Sequence, residues 1–269
     1  MWQELLFKQG RELAQALFAS RVLVACIVGA IYVLAMPISI ALSLKVTVFM
    51  LGFSAVWATY LINVYTDKAE DEVNAAGIHV AVSLPFIVFV ALAPLPLIVD
   101  KMGWRGLAFY TLFCFVCALY SLRLPLLNRR IKDVFLLKNI YPGLIVVGGI
   151  IMLRTMFGFP VFFIDLALIF LIYFGNEILW DIRDMYGDTP NSTLPQRLGP
   201  KATKALVIGI YVMVLAMYAT HWSYLMFAAW LPIAIAIAVT LKVRPNQNPL
   251  LFHLPVLAWA SFLGLLLCL

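Results

Sequence analysis

Apolar positions run through this chain in long blocks, broken by short polar stretches, and do not alternate. The blocks fall at 22–43, 46–66, 78–99, 103–122, 136–158, 160–181, 203–220, 223–241 and 249–269. A helix rises about 1.5 Å per residue, so each block is close to the roughly 20 residues that cross about 30 Å of hydrocarbon. The pattern predicts an all-α polytopic membrane protein: nine transmembrane helices around a central cavity, as one domain over 1–269. A membrane β-barrel would need short segments of alternating hydrophobicity, and the sequence has none. Ahead of the first block, Glu4, Lys8, Arg11 and Glu12 share one helical face and Leu6, Leu13 and Leu17 the other. Residues 1–20 are therefore expected to lie as an amphipathic helix at the interface, with no cleavable signal pattern.

Composition agrees with the blocks. At 64% hydrophobic and 12% charged residues, the chain cannot cover a water-soluble surface. The positions of Lys and Arg add an orientation. With the amino terminus cytoplasmic, fifteen of the nineteen fall on the cytoplasmic side, leaving only Lys45, Lys101, Arg105 and Arg154 opposite. That asymmetry is the positive-inside pattern, and the net charge of +6 reports it. Nucleic-acid binding is excluded, because it would need a solvated basic domain. Cys26, Cys114, Cys117 and Cys268 all lie inside apolar blocks and read as buried small hydrophobes. His79, His221 and His253 are scattered and take no catalytic role. The loops at 67–77, 123–135 and 182–202 carry most of the polar residues, so the chemistry is expected on the cytoplasmic face.

Two of those loops adjoin an unusual feature. Eight of the thirteen Asp and Glu residues sit in two segments: Asp67, Glu70, Asp71 and Glu72, then Glu177, Asp181, Asp184 and Asp188. Carboxylates beside hydrocarbon cost several kcal/mol unless they are paired, neutralised or metal-bound. Asn63, Asp67 and Asp71 recur at i, i+4 and i+8, and Asp181, Asp184 and Asp188 at i, i+3 and i+7. Each set therefore lies on one helical face, and Glu177 extends the second by a turn. Like charges stacked in this way repel, and a divalent cation between two such faces reverses the sign. Oxygen ligands without His or Cys select a hard ion, here Mg²⁺, which completes its shell with water and phosphate oxygens.

At these residues the sequence resembles the UbiA superfamily of intramembrane prenyltransferases. Asn63-Val-Tyr-Thr-Asp67-Lys-Ala-Glu-Asp71 is similar to that family's first Asp-rich motif, and Glu177-Ile-Leu-Trp-Asp181-Ile-Arg-Asp184-Met-Tyr-Gly-Asp188 to its second. Ser192-Thr-Leu-Pro-Gln-Arg197-Leu-Gly199 resembles the family's stretch just after the second motif, and Tyr120-Ser121 with Arg130-Ile-Lys132-Asp133 resembles its middle loop. Val64 departs from the family pattern, as does Asn74-Ala-Ala-Gly77, which lacks the Arg-Pro pairs common there.

The resemblance implies a Mg²⁺-dependent enzyme that ionises a prenyl diphosphate and transfers the isoprenoid to a lipophilic acceptor. Asn63, Asp67, Asp71, Asp181, Asp184 and Asp188 are the expected metal ligands. Asp67, Asp71 and Asp184 are the residues on which turnover should depend, and Asp71 is also a candidate base toward the acceptor. Lys68, Arg130, Lys132, Lys138 and Arg197 are the candidates for holding diphosphate. Tyr65, Tyr120, Glu177 and Trp180 flank the motifs and are expected at the substrate cavity. The alternative is a terpene cyclase on the same scaffold, which would ionise the same donor without an acceptor. A transporter would place ionisable residues deep in the spans, where only Asp165 is a candidate.

Overall fold

The computed structural model describes residues 22–37, 39–66, 82–124, 129–188, 193–221, 226–245, 254–255 and 258. Among them it is built almost wholly of helices: α1 (Val22–Leu34), α2 (Leu42–Thr66), α3 (Leu84–Leu92), α4 (Leu95–Leu119), α5 (Leu137–Met156), α6 (Phe163–Asp184), α7 (Leu194–Leu198), α8 (Pro200–His221) and α9 (Met226–Lys242). Five of these, α2, α4, α5, α6 and α8, are long and apolar enough to cross a membrane. The chain is an integral membrane protein.

Most expected spans have a helical counterpart, with boundaries moved by local chemistry. α1 ends at Leu34, well short of 43, because Pro37 disfavours helix in the residues before it. The third and fourth spans meet within α4, where Gly103 takes φ 61 and ψ −157 and breaks the helix. The Tyr110 hydroxyl donates to the Ala91 carbonyl at 2.6 Å, so the segment after Gly103 runs back alongside α3. The sixth span, expected at 160–181, continues as α6 to Asp184 and carries Glu177, Asp181 and Asp184 inside the helix. The ninth span, 249–269, and the interfacial helix over 1–20 lie outside the described residues, apart from 254, 255 and 258.

α1 and α2 approach closely through small residues. A Cβ on Gly52 would stand 2.7 Å from the Tyr32 ring and 3.3 Å from the Gly29 Cα. Helices in lipid associate by such contacts, since no hydrophobic force separates them from the tails. Gly52→Leu is therefore expected to part α1 from α2 and cost about 1–3 kcal/mol. A thermal melt in detergent checks this, and an unchanged midpoint would show that the helices do not meet there.

α6 is the central wall. Leu166 and Tyr173 face a core shared with α1, α2, α4 and α5, while Leu168, Ile172 and Leu179 face a second core built with α8 and α9. The two sets are offset around one helix, so α6 is covered on two sides. Between α4 and α5 the chain forms a short antiparallel hairpin, β1 (Arg123–Leu124) with β2 (Arg129–Arg130), in which Arg123 pairs with Arg130. A 3₁₀ turn at Ile131–Asp133 follows, and then Leu136 at φ 65, a conformation costly for a branched side chain.

Candidate active site

A cavity opens where the ends of α2, α4, α5 and α6 meet. Its inner wall is apolar, with Val24 and Val28 from α1, Val56 from α2, and Ile145 and Val146 from α5. Tyr60, Tyr120, Tyr173 and Trp180 turn aromatic rings or hydroxyls onto it. The rest of its wall is polar and charged: Asn63 from α2, Glu177, Asp181, Arg183 and Asp184 from α6, and Asp188, Lys132 and Lys138.

The last turns of α6 place the acids. Spacings of four and three residues keep Glu177, Asp181 and Asp184 on the cavity side of α6. Asp188, expected on the same helical face, lines the cavity from the turn beyond the helix, which ends at Asp184. The carboxyl end of a helix carries a partial negative charge, so acids there face a dipole of the wrong sign and depend on nearby cations. Lys138 is one such cation. Its Nζ lies 2.7 Å from Asp188 Oδ2 and 3.0 Å from Asp181 Oδ1. Asn139 beside it donates from Nδ2 to Asp181 Oδ2 at 2.7 Å. Arg183 is another, paired with Asp184 and set over the Trp180 ring at 4.6 Å. Burial pushes the Asp188 carboxyl up to about 7, and the charge of Lys138 opposes that rise.

The placement of Lys138 comes from the chain around it. Pro142 has no N–H to give the carbonyl of Lys138, four residues earlier in α5. The Tyr120 hydroxyl reaches that carbonyl at 3.5 Å. Tyr120 also stacks on Tyr141, whose hydroxyl donates to Val116 at 2.7 Å, so the end of α4 is pinned to the first turns of α5. Asn63 is held from the same corner, where the Ser121 hydroxyl donates to its Oδ1 at 3.3 Å.

The structure thus brings together Asn63, Tyr120, Lys132, Lys138, Glu177, Trp180, Asp181, Asp184 and Asp188. Asp67, Lys68 and Asp71 lie outside the described residues. Arg130, Arg197 and Tyr65 stand off the cavity wall. Arg130 makes a two-pronged pair with Asp133, Nε to Oδ2 at 2.8 Å and a second nitrogen to Oδ1 at 2.8 Å, which closes the 3₁₀ turn. Burial would raise the Asp133 carboxyl, but the hydrogen bonds and charge of Arg130 outweigh it and hold the group below its usual range. Arg197 lies 3.7 Å over the Phe135 ring, and Tyr65 is exposed on another face of α2.

Three polar residues join the site without having been singled out as site residues: Asn139, Arg183 and Gln196. Gln196 donates from Nε2 to the carbonyls of Met185 at 2.8 Å and Asp188 at 3.2 Å, and its Oε1 accepts from the Thr193 N–H at 3.2 Å. It ties the start of α7 to the backbone that carries Asp188. The Thr193-x-x-Gln196 spacing of a capping box was the available signal. Gln196→Leu is expected to lower turnover roughly tenfold by freeing that backbone, on the scale of one misplaced supporting contact. Full turnover in this variant would show that the tie is irrelevant to the site.

Among the described residues, no three acidic, His or Cys side chains stand close enough to hold a metal by themselves. The acids and the amide on the cavity wall offer oxygen donors, and Asp181 Oδ1, fully buried, has the Lys138 ammonium at 3.0 Å as its partner. Such a wall fits a hard cation completed from the α2 side or by phosphate oxygens.

No family model matches the chain, and no curated protein matches it in sequence. Its structure is similar to that of a membrane digeranylgeranylglyceryl phosphate synthase, a UbiA-superfamily enzyme, with a TM-score of 0.54. The likeness covers 94% of this chain and 99% of the other at 16% identity. The chain has the UbiA fold. Within that fold, Asn63, Glu177, Asp181, Asp184 and Asp188 line one cavity.

Proposed function

We propose that the chain is a Mg²⁺-dependent intramembrane prenyltransferase, with nine spans and its cavity mouth on the cytoplasmic side. The observation that supports this is that Asn63, from the first motif, lines the same cavity as Asp181, Asp184 and Asp188 of the second, together with apolar residues of α1, α2 and α5. The apolar wall between α1, α2 and α5 suits an isoprenoid chain, and the charged mouth suits its diphosphate.

Lys132, Lys138 and Arg183 supply charge-assisted hydrogen bonds at that mouth. Asn63, Asp67, Asp71, Asp181, Asp184 and Asp188 would hold Mg²⁺. When bound, the ion supplies the Lewis-acid charge that neutralises a leaving diphosphate. The allylic C–O bond breaks with its electron pair leaving on the diphosphate oxygen. The acceptor then gives an electron pair to the allylic carbon and loses a proton to a nearby base, a role open to Asp71. Tyr60, Tyr120, Tyr173 and Trp180 present π faces to the cationic carbon, and the apolar wall keeps water from it.

The same aromatic wall favours a second reading, in which the cation closes on its own double bonds and no acceptor takes part. Product analysis separates the two. The purified chain, given a prenyl diphosphate and Mg²⁺ with a lipid extract, is expected to give a prenylated acceptor by mass spectrometry. A cyclic hydrocarbon formed without extract would overturn the transferase reading.

A further inference from the structure

The second acidic cluster holds a cation of its own. Lys138 Nζ lies between Asp181 and Asp188, at 3.0 and 2.7 Å, so a positive charge already stands between those two carboxylates. Asp181 is 1% exposed, and the side chains of Lys138 and Asp188 are 17% and 10% exposed, so solvent screens the triad little. The ammonium is also held by its backbone. Leu136 at φ 65 and the interruption at Pro142 bracket it, and Tyr120 reaches its carbonyl. To move aside, Lys138 would have to carry a charge away from two buried carboxylates.

Resting on the metal–diphosphate reading above, we infer that Lys138 is a tethered cation standing in for one divalent ion, so that the site takes one metal ion with diphosphate where two acidic motifs would otherwise take two. In this role Lys138 is a positioning and charge-balancing residue whose ammonium also faces the leaving group.

The test counts metal. Full-length chain in detergent is dialysed against Mn²⁺ with inorganic pyrophosphate, and bound Mn²⁺ is measured by electron paramagnetic resonance. The wild type is expected to bind one Mn²⁺ per chain with an uncoupled hyperfine pattern. Lys138→Met, of similar shape and no charge, is expected to bind two with a spin-coupled spectrum, and Lys138→Arg to return to one. Two ions in the wild type would overturn the role of Lys138 while leaving the metal–diphosphate reading intact, and that count does not depend on the variants folding. A single ion in folded Lys138→Met would overturn it as well. No pyrophosphate-dependent Mn²⁺ in any form would remove the metal–diphosphate reading itself.

Discussion

Asp184→Asn is expected to lower turnover about a thousandfold while the protein remains extractable and monodisperse. The residue is 8% exposed, faces the cavity and pairs with Arg183. Asn keeps the shape and one oxygen for Arg183 but removes the charge that a hard cation requires. Loss of one electrostatic contact at a reacting centre costs roughly a hundred- to a thousandfold, and an essential ligand falls at the upper end. Asp67→Asn is expected to do the same from the first motif. Steady-state turnover of each variant, read beside its size-exclusion profile, decides the matter: near-normal rates in either would remove its carboxylate from the mechanism.

The second large effect concerns stability. Asp181→Ala should destabilise the protein by about 1–3 kcal/mol, the usual cost of leaving a buried donor without its partner. The substitution leaves Lys138 beside Asp188 alone and strips Asn139 of its acceptor. Combining it with Lys138→Met should cost less than the sum of the two single changes, because each breaks the same Asp181–Lys138 pair. Thermal melts of the two single variants and the double variant form the cycle. Strict additivity would mean that Asp181 and Lys138 do not interact in the folded protein.

The acidic stripe on α6 was legible because it obeys helical spacing in a chain where acids are rare, and neither property needs tertiary structure. Asn63 was legible for the same reason at the end of α2. Lys138 was named among five candidates for holding diphosphate, but nothing local foretold its pairing with Asp181 and Asp188. Its role comes from the turn at Leu136, the gap in hydrogen bonding at Pro142 and the approach of Tyr120, all features of packing between α4 and α5. Arg130 shows the converse. Its place in a motif-like loop suggested a ligand, whereas the carboxylate three residues on engages its guanidinium. Span boundaries moved where a single residue governs the backbone, as at Pro37 and Gly103. Tyr60 and Tyr173 sit inside apolar spans, where an aromatic ring reads as packing until the cavity beside it is seen.

The central claim is that one cavity, walled by Asn63 on α2 and the acids of α6, ionises a prenyl diphosphate with the help of Mg²⁺. Its most direct test is release of diphosphate by the purified chain, given geranyl, farnesyl and geranylgeranyl diphosphate in turn, with and without Mg²⁺. Release from at least one donor is expected, and it should disappear on chelation and in Asp184→Asn. Release that survives both treatments, or none from any donor in the folded wild type, would contradict the claim.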